Sequence, residues 1–395
     1  MTPVELSRIV LHAVRRAVDA GDLAVDLHGL PDLPRRVSVA PPGPGGHGDY
    51  ATNVALQLAR PAGQPPLRVA EVLRPHLAHA AGIRDVEITG PGFLNIRLDR
   101  GTGSGLVQRV LEQGPRYGYS DLLAGRVFVL RVPYDVRAEV LADSLSRIVA
   151  SQGGRVEVRH EASPTATTAA TEPRAATEPT VPTSAPSPSA TGGALVLRPL
   201  PAPEAPTPLG PDAARWALLH PAPHDRPRIS ADHLVQRESN PLFRVRYAHA
   251  RTRAVHRNAA DLGFTPQPAL SPQSTADADA PANADVPANA DMPANADLDA
   301  LTETPLLRLL ADHPRLLSSV VPADATRPDP GTPSRLTRHL VVLADAVIPF
   351  LPTVLPRGAE KPSAAHRARL ALADAVGAVL AGGLSLLGID APDHL

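Results

Sequence analysis

Residues 240–251 read Asn-Pro-Leu-Phe-Arg-Val-Arg-Tyr-Ala-His-Ala-Arg. Five arginines (Arg244, Arg246, Arg251, Arg253, Arg257) and two histidines (His249, His256) fall within residues 240–260, without one acidic residue. At helical spacing Arg246, Arg253 and Arg257 lie on one side and Arg244 with Arg251 on another. Phe243, Tyr247, Ala250 and Ala254 share the face between them. The pattern predicts an aromatic stripe buried in a helix bundle and flanked by guanidinium rows, a form suited to lying along a phosphate backbone. An arginine-rich solvated helix satisfies the same pattern.

The 395 residues allow two or three domains. A net charge of −1 and a pI near 7.0 show no chain-wide polyanion footprint, so nucleic-acid affinity has to come from local patches. The absence of cysteine excludes disulfides, thiol nucleophiles and thiolate metal sites. No stretch approaches about 18 continuous apolar residues, and residues 1–6 lack a basic segment followed by an apolar core, so the expectation is a soluble cytoplasmic protein. Only 3% aromatic residues, with 46 prolines, predict a small aliphatic core and much unstructured chain. Lys361 is the sole lysine.

Residues 1–120 read as a compact α+β module. Residues 4–20 have helical spacing (Leu6, Ile9, Val10, Ala13, Val14, Ala17), as do 53–58 and 67–80. Residues 36–40 and 85–89 have the character of short strands, and 93–98 alternates as a strand does. Residues 121–160 hold an apolar strand at 126–131, a helix at 138–151 ended by Gly153 and Gly154, and a strand at 155–159, the start of a parallel β-α-β unit. An Ala/Thr/Pro linker spans 161–208. It is predicted disordered, most plainly over 161–193, which has almost no aliphatic side chain larger than alanine. From 209 to 395, helical patterns at 211–219, 234–262, 301–317, 334–351 and 364–387 predict a bundle. An insertion at 266–299 carries three copies of x-Pro-Ala-Asn-Ala-Asp, starting at Ala280, Val286 and Met292. A proline in every six residues propagates neither helix nor ladder, so an extended acidic spacer is predicted.

Two strings in the first module, Gly-Asp-Tyr-Ala-Thr-Asn-Val-Ala-Leu at 48–56 and Gly-Pro-Gly-Phe-Leu-Asn-Ile-Arg-Leu at 90–98, resemble signatures of the N-terminal domain of bacterial arginyl-tRNA synthetases. Residues 240–251 resemble the first helix of that family's DALR anticodon-binding domain, and 364–392 its last helix and tail. The resemblance implies that Phe93 stacks on a base of the tRNA D-loop and that Asn95 hydrogen-bonds it, the means by which unpaired bases are read. Phe93 on an alternating strand has a core position as its other placement. Asn53 is a further D-loop candidate, or a brace for the helix after it. On the anticodon-stem side the implied contacts are Arg244, Arg246, Tyr247, His249, Arg251, Arg253 and Arg257.

The middle of the chain departs from the family. Asp-Ser-Leu-Ser-Arg-Ile at 143–148 resembles the helix after the family's His-x-Gly-His ATP-binding motif, but the four motif positions fall on Val132, Pro133, Tyr134 and Asp135. No imidazole is left to hold phosphate, no glycine admits adenine, and an aspartate repels phosphate. Between Asp135 and the next match at 209–216 lies mostly the linker, where the family carries its arginine pocket and mobile Lys-Met-Ser-Lys loop. Lys361 lies in the bundle instead. The 15 histidines are scattered, and no pair at helical metal spacing has a third ligand close in sequence, so no metal site is expected. The glycine-rich run 43–48 neither follows a strand in a β-α-β unit nor carries Lys-Ser/Thr, which argues against a P-loop.

The expected fold is therefore an α+β N-terminal module, a remnant of a Rossmann-like β-α-β unit and an all-α DALR bundle. The expected function is non-catalytic binding of tRNA or a tRNA-like RNA, with no cofactor and with neither DNA nor membrane as partner. Two alternatives stand beside it: arginine–tRNA ligase activity with ATP, and a protein-interaction module that binds no RNA.

Overall fold

Thr2 opens helix α1 (Pro3–Asp19): its hydroxyl accepts from Glu5 N while the Glu5 carboxylate accepts from Thr2 N. Two orphan donors are satisfied reciprocally, which fixes where the helix begins. Leu6, Val10, Ala13, Val14 and Ala17 then recur on one buried face. That face packs on α3 (Pro66–Ala78). Both helices belong with a four-stranded antiparallel sheet in the order β1 (Val39–Ala40), β2 (Tyr50–Thr52), β4 (Phe93–Leu98), β3 (Ile83–Thr89); α2 (Val54–Ala59) follows β2. Register places Leu94 beside Thr52 and Ile88, and Ile96 beside Tyr50 and Val86, so alternation sends these residues into the core. Phe93, Asn95 and Arg97 consequently share the opposite face.

The structure, a computed structural model, describes residues 1–25, 37–43, 47–99, 102–161, 194–268, 305–322 and 325–395. The predicted disordered tract 161–193 lies outside them from 162 onward, and the acidic insertion 266–299 from 269 onward.

The module's own core ends near Leu98, short of the expected boundary at 120. Helix α4 (Thr102–Gln113), which its Thr-Gly-Ser-Gly start hides in the sequence, contributes Leu106, Val107 and Val110 to a second core. That core also takes in β5 (Val127–Val132) and α5 (Val136–Ser151). It continues through α6 (Gly210–Leu219), α7 (Pro241–Asp261), α8 (Pro305–Ser318), α9 (Thr332–Val347) and α10 (Ala364–Leu386). The β-α-β unit and the bundle are thus one packed body. β5 pairs in parallel with β6 (Arg155–His160) on one side and with β7 (Leu195–Val196) on the other.

Strand β7 corrects the expected linker. Residues 194–208 are ordered, with Leu195 opposite Leu130, Val196 opposite Arg131 and Leu197 buried. The run Leu-Val-Leu supplies the apolar surface that the Ala/Thr/Pro tract lacks. α7 likewise starts at Pro241, after a separate turn at Ala231–Leu234. α10 is apolar nearly all round, as a central core helix must be. It and Thr332–Thr353 are long and apolar enough to cross a bilayer, and 72% of the α10 window is buried inside the protein.

Candidate nucleic-acid interface

Asn240 fixes the start of α7. Its Oδ1 accepts from Leu242 N (3.1 Å) and Phe243 N (3.4 Å), while its Nδ2 donates to the carbonyls of His233 (2.8 Å) and Val235 (3.0 Å). The buried residues are Leu242, Val245, Ala248, His249, Ala250, Thr252, Val255 and Ala259, so of the expected stripe Ala250 faces inward while Tyr247 does not. This corrects the expected aromatic stripe. Aliphatic and small polar side chains face α9 and α10, and the half-buried Phe243 ring stacks on exposed Tyr247, 5.6 Å apart and 24° from parallel. Tyr247 is 37% exposed.

The guanidinium rows are also not the free surface that their spacing suggests. Arg244 forms a forked pair with Asp345 of α9, 2.8 Å to each carboxylate oxygen. Arg246 pairs with Asp212 and donates to the Asp390 carbonyl (3.1 Å). Arg253 meets Asp393 at 3.3 Å, and Arg257 meets His394 Nδ1 at 3.3 Å. His249 is buried, with Nδ1 donating to the Pro392 carbonyl at 3.0 Å. Burial pushes its pKa below the ordinary value, and the Pro392 contact opposes that shift. One row therefore holds residues 390–394 of the chain itself. Of the five arginines, Arg251 alone forms no ion pair or hydrogen bond among the described residues, and it is exposed.

In the N-terminal module, Phe93 is 41% exposed. It follows Gly92, whose φ of 135° and approach to the Pro66 carbonyl leave no room for a side chain: a Cβ there would lie 2.9 Å from that oxygen. Asn95 departs from its expected role. It is 3% exposed, and its Nδ2 donates to Thr89 Oγ1 at 2.7 Å, bracing the β3–β4 turn from the middle of the sheet. Cross-strand neighbours on both sides cover it, as they cannot at the strand end where Phe93 sits. Asn53 is half-buried and accepts from Gln57 Nε2 (3.1 Å) in α2, a brace within the helix. Arg97, further along the face of Phe93, is exposed.

At the end of β5, Val132 is buried and Tyr134 is 83% exposed. Asp135 caps α5, accepting from Ala138 N at 2.9 Å. A carboxylate thus sits where a helix N-terminus would otherwise attract phosphate. Sequence reasoning missed Arg137, two residues on. Its buried guanidinium donates to the carbonyls of Leu200 (2.6 Å), Asp225 (2.7 Å), Ala222 (2.8 Å), Leu218 (3.1 Å) and Pro221 (3.2 Å). These contacts fasten residues 200–225 across the start of α5. Among the described residues no group of three or more His, Asp or Glu could hold a metal ion.

The arginyl tRNA synthetase N terminal domain matches residues 5–98, and the DALR anticodon binding domain matches 245–395. The arginine–tRNA ligase of Paenarthrobacter aurescens is 38% identical over 170 residues, 40% of this chain and 30% of that protein. That of Kineococcus radiotolerans is 40% identical over 166 residues, 40% of this chain and 29% of that protein. The chain thus spans less than a third of the length of these curated relatives. The Thermus thermophilus arginyl-tRNA synthetase structure has the same fold, with a TM-score of 0.58 at 15% identity and all of both chains covered. With one of the family's domains at each end, the chain belongs to the arginyl-tRNA synthetase family.

Proposed function

We propose that the chain binds tRNA or a tRNA-like RNA without activating arginine. The observation that carries this is Phe93: an aromatic ring held in the open on β4, inside the domain matched to the synthetase N-terminal family. An exposed ring on a rigid strand is a platform for an unpaired base. Exposed Tyr247, with Phe243 stacked on it and exposed Arg251 one turn on, supplies a second surface of the same kind at the start of the residues matched to the DALR domain. The names of the curated relatives, all arginine–tRNA ligases, favour tRNA as the RNA.

Asp135 at the α5 N-terminus and the segment that Arg137 holds across it favour loss of the nucleotide site. Arginine-dependent exchange of pyrophosphate into ATP by the purified chain should stay at background. Exchange above it would return the ligase alternative. Titration of total tRNA at several salt concentrations tests the RNA reading. Affinity should fall steeply with salt, as phosphate contacts release counterions. The occupied arginine row on α7 favours a protein-interaction role instead, and that role takes over if tRNA binds no tighter than albumin at low salt.

A further inference from the structure

A cleft of about 510 Å³ lies between the N-terminal module and the bundle. Three guanidiniums from three elements line it: Arg84 of β3, Arg97 of β4 and Arg308 of α8. All three are exposed. Arg84 sits at a register shift between Ile83 and Asp85, where the ladder skips one residue. Such a bulge re-aims a side chain out of the strand's alternation.

Among the described residues no carboxylate forms an ion pair or hydrogen bond with Arg84 or Arg97, and Arg308 has one at the edge of reach. Asp85 lies opposite Arg97 in register, yet its Oδ1 accepts from the adjacent Val86 N at 2.8 Å. Asp49 accepts from Leu98 N at 2.9 Å through Oδ2 and reaches Arg308 only at 4.0 Å through Oδ1. Asp99, also in the wall, has a partner of its own. Neither Arg84 nor Arg97 forms a hydrogen bond or ion pair among the described residues. Three like charges gathered in one concave, polar space repel one another and favour an anion between them. Arginine's planar fork matches phosphate oxygens two at a time.

We propose that this interdomain cleft is a phosphate-binding groove for an RNA backbone, bridging the N-terminal module and the bundle. The proposal rests on the RNA-binding reading and extends it. Phe93 and Arg97 lie on one face of β4, four residues and therefore roughly 13 Å apart along the strand. A base on Phe93 and a phosphate in the cleft can belong to the same stretch of RNA. The groove also gives the RNA a contact on α8, outside the α7 row that residues 390–394 occupy.

The test is a titration of total tRNA at several salt concentrations with the full chain and with Arg97→Ala, Arg308→Ala and their double variant. Each lost contact should weaken binding roughly tenfold and lower the log–log salt slope by roughly 0.7–0.9. Melting temperatures should be unchanged, because both side chains are exposed. Arg308→Lys should restore the slope but only part of the affinity, since it keeps charge without the fork. If Phe93→Ala weakens tRNA binding while the double variant keeps wild-type affinity and slope, the groove is refuted and RNA binding stands. If the wild-type chain binds no tRNA, the groove and the RNA reading fall together. Loss of a protein partner in the double variant, with RNA affinity intact, also overturns the groove and marks the cleft as a protein-docking surface.

Discussion

Arg137 Nη1 donates to the carbonyl oxygen of Asp225 at 2.7 Å, across 88 positions of sequence. One buried cation thus closes a loop whose other carbonyls it also satisfies. Arg137→Met should destabilise the chain by roughly 3–5 kcal/mol, because the carbonyls stay buried without a donor. Urea unfolding followed by circular dichroism measures it. A loss below about 1 kcal/mol would mean that water reaches these carbonyls and that the segment is loosely held.

The buried His313 ring stacks on Tyr117 (centroids 6.1 Å apart) and meets the half-buried His339 ring at a tilt of 31° (5.4 Å). Burial holds the His313 pKa well below its ordinary value and brings that of His339 down to about 4. The unfolded chain protonates both near pH 6.5. Between about 6.5 and 4 the unfolded state therefore binds more protons, and folding stability should decline as pH falls through that window. Above about 7 both rings are neutral in either state, and these two groups should add no slope. His339→Gln should flatten the dependence of the urea midpoint on pH; an unchanged profile would place the responsible proton elsewhere.

On α7, paired and unpaired arginines should behave differently toward RNA. Arg251→Ala should weaken tRNA binding and reduce the salt slope by somewhat under about one unit. Arg253→Ala should do less, because Asp393 already occupies that guanidinium. Their pair is about half exposed (45% and 53%), so its loss should alter stability by less than about 1 kcal/mol. Anisotropy titrations of both variants rank them, and the reverse order would show that the tail leaves α7 when RNA binds.

Phe93→Ala should lose on the order of 1–3 kcal/mol of tRNA binding through lost stacking, with little change in salt slope. Its melting temperature should stay near wild type, since the ring is 41% exposed. A large drop in melting temperature with RNA affinity intact would make Phe93 a structural residue.

Much of the fold was legible in one dimension because it depends on local periodicity. The spacing of Leu6, Val10, Ala13 and Val14 gave α1, and the alternation at 93–98 gave β4 with Phe93 at its open end. Charge and side-chain type likewise marked α7 as arginine-rich, and residues 132–135 as lacking imidazole and glycine. What local pattern does not contain is the identity of a distant partner. Tertiary structure decided that α7 buries Leu242, Val245, His249 and Thr252 against its neighbours, leaving Tyr247 exposed and Phe243 half-buried against it. It decided that Asp345, Asp212 and Asp393 pair with Arg244, Arg246 and Arg253, that Arg257 hydrogen-bonds His394, and that Asn95 braces Thr89. It also placed Leu195 and Val196 beside β5 and buried Arg137 among carbonyls 63 to 88 positions away. A cation and the group that satisfies it need only meet in space, so sequence spacing specifies which residues face one way, and packing alone specifies what they face.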